Sequence, residues 1–172
     1  MNAPTDDAAP AAGHGDDAPL KLEQFLPYRL NVVASLVSQA LSRIYADGYG
    51  IGVPEWRVLV TLGQYGMMTG KAIGGHSHMH KTKVSRAVAL LEDRKLVIRR
   101  ANRADMREAI LALTAAGRAM YDDLAPIALD FANRLAEAVD PADRAAFERS
   151  VDRLTERSAK LAEEFAKRKS PR

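Results

Sequence analysis

Three long stretches of the chain carry an apolar side chain at every third or fourth position. Because a helix turns once in about 3.6 residues, this spacing places the apolar side chains on one helical face. The pattern predicts long amphipathic helices over 22–46, 115–139 and 142–167. The apolar positions are Leu22, Leu26, Leu30, Val33, Val37, Ala40, Ile44, Met120, Leu124, Ile127, Phe131, Leu135, Phe147, Val151, Leu154, Leu161 and Phe165. Pro126 lies inside the second helix and is expected to kink it or break it in two.

Helix-start signals precede several predicted elements. Asp140 followed by Pro141 is expected to begin the third long helix, because an acidic cap and a proline at the first helical position both favour a start. Pro54 opens a shorter helix over 54–66 in the same way. The expected buried side chains of that helix are Trp56, Leu59, Val60 and Leu62. Thr69 can cap a further short helix with the sequence TGKAIGG.

A second short helix is expected from Lys81 to Asp93, after a turn that ends at His80. Its apolar residues recur at i, i+3, i+4 and i+7 and therefore share one face: Val84, Ala87, Val88 and Leu91. The opposite face holds Thr82, Ser85, Arg86 and Ala89. A face that is small, hydroxylic and cationic is typical of a helix in the DNA major groove, where hydroxyls bind phosphates and arginine reads a guanine edge.

Two strands and a basic loop follow. The β-branched content of 96–100 predicts a strand, and 110–113 is its expected partner. The connection over 101–108 would project Arg103 and Arg107, and a narrow minor groove attracts inserted arginine side chains. Two helices joined by a turn and followed by such a hairpin make a winged helix–turn–helix. The competing interpretation is a three-helix scaffold with a solvated charged loop.

Positive charge is concentrated in this part of the chain. Residues 71–107 hold ten basic and three acidic side chains, a net charge of +7. The whole chain carries +3, so the remainder carries −4. A basic module on an acidic frame indicates a nucleic acid partner, because phosphate contacts by lysine and arginine dominate such binding.

Composition narrows the class of protein. The chain of 172 residues suits one domain with an oligomerisation arm, and it has no cysteine for disulfides or thiol redox sensing. No run approaches about 18 apolar residues, and no signal-peptide pattern begins the chain, so we expect a cytoplasmic protein that does not enter a membrane. We expect residues 1–20 to form a disordered acidic tail and residues 169–172 a basic tail.

Several segments together form a recognisable signature. They are Val53 to Leu59, Val84 to Arg100, the pair Asp105 and Arg107, and Leu113-Thr114 with Ala116 to Arg118. These segments resemble the MarR family of bacterial transcription regulators, which has a helix-entry segment and a wing signature of Asp-x-Arg followed six residues later by Leu-Thr. The resemblance extends over residues 22–168.

This resemblance implies a mainly α fold, a winged helix–turn–helix with a small β-hairpin wing and long N- and C-terminal dimerisation helices. The corresponding segments are 21–48 for the first dimerisation helix, 49–114 for the DNA-binding domain and 115–168 for the C-terminal dimerisation helices. The apolar faces themselves favour a homodimer, since a monomer would expose them. Two-fold symmetry predicts a pseudo-palindromic operator with half-sites about 10 bp apart.

The expected function is a ligand-responsive transcription regulator, a repressor bound to double-stranded operator DNA. The residues assigned to DNA are Lys81, Thr82, Lys83, Ser85, Arg86, Arg103, Asp105 and Arg107. Arg107 is expected to enter the minor groove. Asp105 resembles the family residue that positions this arginine by a charge-assisted hydrogen bond.

The resemblance also implies a small-molecule pocket between the dimerisation helices and the winged domain. Tyr28 and Trp56 would supply aromatic walls, and Arg29 a cation for a carboxylate or phosphate. The start FLPYRL and the segment 70–86 resemble relatives that control the breakdown of plant phenolic acids, whose inducers are hydroxycinnamates or their CoA thioesters. The three residues are also compatible with ordinary packing and surface charge.

Two alternatives remain at this point. His76, His78 and His80 alternate through the turn before the second short helix, a spacing compatible with a zinc-responsive regulator. An architectural DNA binder without an effector is the other. No catalytic triad, glycine-rich phosphate loop or paired carboxylates stand out, so neither enzymatic activity nor a cofactor is expected.

Overall fold

The computed structural model of the protein describes residues 19–102 and 105–168. The tail segments 1–18 and 169–172 and the predicted DNA-contacting Arg103 lie outside these residues. The described part contains α1 (Leu26–Tyr49), α2 (Val53–Tyr65), β1 (Met68–Thr69), α3 (Gly70–Ser77), α4 (Lys81–Asp93), β2 (Val97–Arg100), β3 (Ile110–Leu113), α5 (Ala115–Ala136) and α6 (Arg144–Arg168). The predicted fold, mainly α with a small hairpin, is confirmed. None of the described helices is long and apolar enough to cross a lipid bilayer.

Contacts divide the chain into two units, Met1–Ala40 and Leu41–Arg172. In the first unit, α1 begins at Leu26, four residues later than the apolar spacing predicts. Proline is tolerated in the first turn of a helix, where its missing N–H would be unpaired in any case. Pro27 therefore suits a helix that begins immediately before it. The second unit contains the end of α1 and all the other elements.

The three strands form one antiparallel sheet in the order β1-β3-β2. In the hairpin, Val97 pairs with Leu113 and Arg100 pairs with Ile110. The sequence did not predict β1, which pairs with the other edge of β3, at Ile110 and Leu111. A strand of two residues is too short to show the alternation from which strands are predicted.

The hydrophobic core of the second unit lies where α2, α3, α4 and the sheet meet. All four side chains predicted to be buried on α4 are buried: Val84, Ala87, Val88 and Leu91. On α2, Leu59 and Leu62 are buried as predicted, but Trp56 and Val60 are only half-buried and Val58 is fully buried. Because α2 contacts both α4 and α5, its buried face is wider than a single apolar stripe.

The last two helices differ from their predicted bounds. α5 ends at Ala136, before the predicted residue 139, and it runs through Pro126 without breaking in two, so a kink at this proline stays a prediction. A proline removes one hydrogen bond to the carbonyl four residues earlier, and the turns on either side keep theirs. Asp140 caps a turn rather than a helix, because its Oδ1 accepts the N–H of Ala142 at 2.9 Å while α6 begins only at Arg144.

The start of α5 is joined closely to the hairpin. Thr114 Oγ1 accepts the N–H of Gly117 at 3.0 Å and donates to the carbonyl oxygen of Lys95 at 2.7 Å. A Cβ on Gly117 would overlap the carbonyl group of Leu96. Glycine alone permits this approach of two backbones, which sets the position of the hairpin against α5.

Candidate nucleic-acid interface

α4 presents a polar face away from the core. The five residues that the sequence assigns to DNA on this helix are all exposed: Lys81, Thr82, Lys83, Ser85 and Arg86. Within the described part of the chain, the three cations of this face form no ion pair. The face therefore combines hydroxyls with cations whose charges are not neutralised by a neighbouring carboxylate.

The turn before α4 sets the direction of this helix. α3 is capped by Thr69, whose Oγ1 accepts the N–H of Ala72 at 3.2 Å, and it ends at His78 with a left-handed φ of 51°. His80 takes the N-cap of α4, where Nδ1 accepts the N–H of Thr82 at 3.4 Å. This contact is long, so the positive end of the α4 dipole remains available to an anion such as a phosphate.

The three histidines of the turn have separate roles. His76 stacks on Tyr65 with ring centroids 4.3 Å apart, His78 ends α3, and His80 caps α4. Over residues 19–102 and 105–168, no group of three histidine, cysteine or acidic residues is placed to hold a metal ion. The geometry gives no support to the metal-responsive alternative.

The described part of the wing is held by a side-chain to backbone contact. Asp105 Oδ1 accepts the backbone N–H of Arg107 at 2.9 Å. The expectation from resemblance was that this carboxylate positions Arg107, and the contact is made to its main chain. Arg107 is an exposed residue in the connection between β2 and β3.

A cavity of about 550 Å³ opens between α3, α4 and the hairpin. Its apolar lining includes Val84, Val88 and Leu111, and its cationic lining consists of Lys71, Lys81, Arg99 and Arg107. Lys81, Ser85 and Arg107, predicted from separate segments, therefore border one cavity. Lys71 and Arg99 belong to the basic module of residues 71–107, but the sequence pattern assigns neither of them to DNA. The two-residue alternation of β2 could have placed Arg99 on the same side as the buried Val97.

One cation of the basic module serves the protein's own structure. Arg94, at the end of α4, donates from Nη1 to the carbonyl oxygen of Gly50 at 3.0 Å and from Nη2 to that of Tyr49 at 2.8 Å. Tyr49 Oη donates to Asp123 Oδ2 at 2.7 Å, and this hydrogen bond raises the pKa of the Tyr49 hydroxyl. The ends of α1 and α4 and the middle of α5 are joined at this point.

The residues predicted to bind an effector lie in different surroundings. Trp56 stacks on Tyr45 with ring centroids 5.3 Å apart and an interplanar angle of 11°. Burial raises the pKa of the Tyr45 hydroxyl, and the nearby Arg57 charge opposes that shift. Tyr28 and Arg29 are exposed in the first turns of α1, within the first unit. Their joint role in one pocket stays a prediction.

Comparison with protein families matches residues 51–109 to the MarR family. No curated protein matches the chain. MarR-family proteins are transcription regulators and not enzymes, in agreement with the expectation that this chain is not an enzyme.

Solved structures extend the likeness beyond that segment. A MarR/EmrR family regulator from Acinetobacter sp. ADP1 is 22% identical, covers 82% of this chain and 99% of its own, and superposes with a TM-score of 0.75. A MarR family regulator from Silicibacter pomeroyi is 26% identical, with coverages of 85% and 97% and a TM-score of 0.70. BpsR from Bordetella bronchiseptica, whose DNA binding is regulated by 6-hydroxynicotinic acid, is 19% identical, with coverages of 80% and 98% and a TM-score of 0.72. Residues 51–109 are therefore a MarR-family domain, in a chain with the fold of the MarR-family transcriptional regulators.

Proposed function

We propose that the whole chain, and not only residues 51–109, is a MarR-family protein and acts as a repressor. It binds double-stranded operator DNA in the cytoplasm as a homodimer. A small aromatic carboxylate, or its CoA thioester, releases it. The assigned DNA contacts are Lys81, Thr82, Lys83, Ser85, Arg86, Arg103, Asp105 and Arg107, and the assigned effector contacts are Tyr28, Arg29 and Trp56.

The exposed face of α4 carries this proposal. Hydroxyls and cations occupy that face with apolar anchors beneath it, and its Lys81 and Ser85 border the same cavity as Arg107 of the wing. A helix of this kind suits the major groove, and an arginine on a projecting hairpin suits the adjacent minor groove. The two parts together would span neighbouring grooves of one duplex.

The long helices support the homodimer. α6 has no buried residue, although it carries a continuous apolar face. Phe147 is 54% exposed and Phe165 is 60% exposed at opposite ends of that face. Large apolar surfaces of this kind are rare on monomers, and a two-fold mate with the same face would cover them. Two symmetric reading helices would then meet a pseudo-palindromic operator with half-sites about 10 bp apart.

The effector class is supported by a structurally similar protein and by side chains of this chain. An aromatic acid, 6-hydroxynicotinic acid, regulates DNA binding by the structurally similar BpsR. In the present chain, exposed Tyr28 and Arg29 offer a ring and a cation, which suit the two parts of an aromatic carboxylate. Trp56 offers a second ring, half-buried on Tyr45.

Footprinting of the chain on the DNA upstream of its own coding sequence tests the proposal. We expect a protected, pseudo-palindromic site, and protection that disappears when the releasing aromatic carboxylate or acyl-CoA is added. Candidate effectors are found first by thermal shift, since a ligand at 100 times its dissociation constant stabilises the native state by about 2.7 kcal/mol.

The outcomes separate the parts of the proposal. Uniform protection of the DNA, without sequence preference, would indicate an architectural DNA binder instead. A specific site with no response to any phenolic acid or aromatic acyl-CoA would retire the effector class and leave the repressor intact. Absence of binding to any duplex would overturn the whole proposal.

A further inference from the structure

Arg99 lies outside the residues assigned above to DNA, although it borders the same cavity. It lies on β2, paired with Leu111 of β3. Its Nε donates to both carboxylate oxygens of Glu92, at 2.9 and 2.8 Å. Glu92 is in the last turn of α4, so this ion pair joins the reading helix to the first strand of the hairpin.

The geometry of the pair leaves the far end of the guanidinium available. The carboxylate occupies the Nε side, and neither Nη atom of Arg99 has a hydrogen-bond partner among the described residues. The Arg99 side chain is 51% exposed, whereas that of Glu92 is 26% exposed. The two Nη groups form a planar fork that matches two oxygens of one phosphate.

We propose that Arg99 binds a DNA phosphate between the groove read by α4 and the groove entered by the wing, and that Glu92 is its positioning residue. The proposal rests on the DNA-binding function proposed above. Arg99 shares the cavity with Ser85 and Arg107, so a backbone that touches both would pass in front of the guanidinium. Binding by an oriented fork costs less side-chain entropy than binding by an arginine that is unrestrained.

Charge and orientation give opposite expectations for Glu92. Replacing Glu92 with glutamine removes a negative charge from the basic face, which on electrostatic grounds alone would strengthen binding to DNA. If Glu92 orients Arg99, the same replacement weakens binding. The sign of the change therefore distinguishes a positioning residue from a carboxylate that only reduces the positive charge.

The first measurement is the salt dependence of binding to a duplex that the wild-type chain selects from random-sequence DNA. We expect Arg99→Gln to lower affinity at least tenfold, roughly the value of a charge-assisted contact, and to reduce the salt slope by about one. Arg99→Lys keeps the charge but loses the fork, so we expect an unchanged slope with affinity lowered by about tenfold. Thermal unfolding of each variant shows that it is folded.

The second measurement compares Glu92→Gln with Asp93→Asn. Asp93 is the next residue of α4 and forms no ion pair within the described part of the chain, so its replacement makes the same change in charge without releasing an arginine. We expect Glu92→Gln to weaken binding by about threefold or more, and Asp93→Asn to leave it equal or tighter. In an Arg99→Gln background, Glu92→Gln should add no further loss, because the residue that it positions is absent.

Other outcomes overturn the proposal. If wild type binds the duplex and Arg99→Gln changes its thermal midpoint but neither affinity nor slope, the ion pair is a structural brace only. Tighter binding by Glu92→Gln, matching that of Asp93→Asn, would exclude the positioning role. If wild type selects no duplex, the proposed DNA-binding function fails, and the phosphate contact fails with it.

Discussion

At the end of the hairpin, Asp105 uses its carboxylate on the backbone N–H of Arg107 and not on the guanidinium. The turn is therefore organised without neutralising the arginine by a paired carboxylate oxygen. Within the described residues the Arg107 side chain has no ion-pair partner, so its donors remain available for the DNA contact proposed above.

We expect Arg107→Ala to weaken binding of the selected duplex and to reduce its salt slope by about one, because one cation no longer displaces a counterion. Fluorescence anisotropy across a salt series measures both quantities. Arg153→Ala is the control, because it removes one cation from an exposed position on α6, outside the proposed DNA interface. It should leave the salt slope unchanged. An unchanged slope for Arg107→Ala would remove Arg107 from the set of proposed DNA contacts.

The hydrogen bond from Tyr49 to Asp123 predicts an alkaline dependence of stability. It raises the pKa of Tyr49 above 10.0, so the folded state favours the neutral hydroxyl, and the stabilisation is present below pH 10.0. It is lost as the pH rises through the folded-state pKa. Denaturant unfolding should show wild type losing its advantage over Tyr49→Phe in this range. Tyr28→Phe, at an exposed ring in the first unit, is the control, and an equal effect of both would contradict the assignment.

At the scale of elements, the hairpin depends on how closely α5 approaches it. We expect Gly117→Ala to destabilise the fold by about 1–3 kcal/mol or more, since its Cβ would overlap the backbone carbonyl of Leu96, which cannot rotate away. Gly75→Ala is the control, because a Cβ there meets nothing within 4 Å. That helical substitution should be neutral or stabilising by about 0.5–1 kcal/mol. Equal thermal midpoints for the two variants would contradict the close approach.

Helices with a full apolar period could be predicted from sequence, whereas a helix start displaced by a capped turn and a strand formed by distant pairing could not. α4 has four apolar residues on one face, so both its limits and its buried side chains follow from periodicity. α6 begins after the predicted Asp140 start, because that side chain binds Ala142 in a turn. β1 exists only through its pairing with β3, a contact that no local pattern encodes.

In the candidate interface, too, some residues could be predicted from the sequence pattern and others could not. The exposed face of α4 is what remains once its apolar face is known, so Ser85 and Arg86 could be singled out from the pattern. The roles of the other cations depend on partners distant in sequence. Arg94 donates to carbonyls of Tyr49 and Gly50, and Arg99 to a carboxylate seven residues away. A charge count places both in one basic module but cannot distinguish a structural cation from one that remains exposed.

At the scale of the whole molecule, the proposed homodimer depends on the exposed apolar face of α6. We expect Val151→Asp to shift the chain from dimer to monomer, because a charge on this face would have to be desolvated at the interface. Sedimentation velocity measures the assembly state, and loss of the dimer should also weaken operator binding. Ala159→Asp, on the polar side of α6 away from the apolar face, introduces the same charge as a control. A dimer that survives Val151→Asp unchanged would exclude α6 from the interface.

The small strand β1 has a mechanical consequence. It pairs Met68 with Leu111 and Thr69 with Ile110, immediately before α3 begins. The hairpin is thereby hydrogen-bonded to the strand that leads into α3, the first helix of the helix–turn–helix. An outward movement of the wing would break these pairs. In the proposed complex, α4 and the hairpin would therefore be held at a fixed distance from each other. Where the groove spacing of a duplex differs from that separation, the DNA must bend to fit, so sequences that bend easily should be favoured even at positions that no side chain touches.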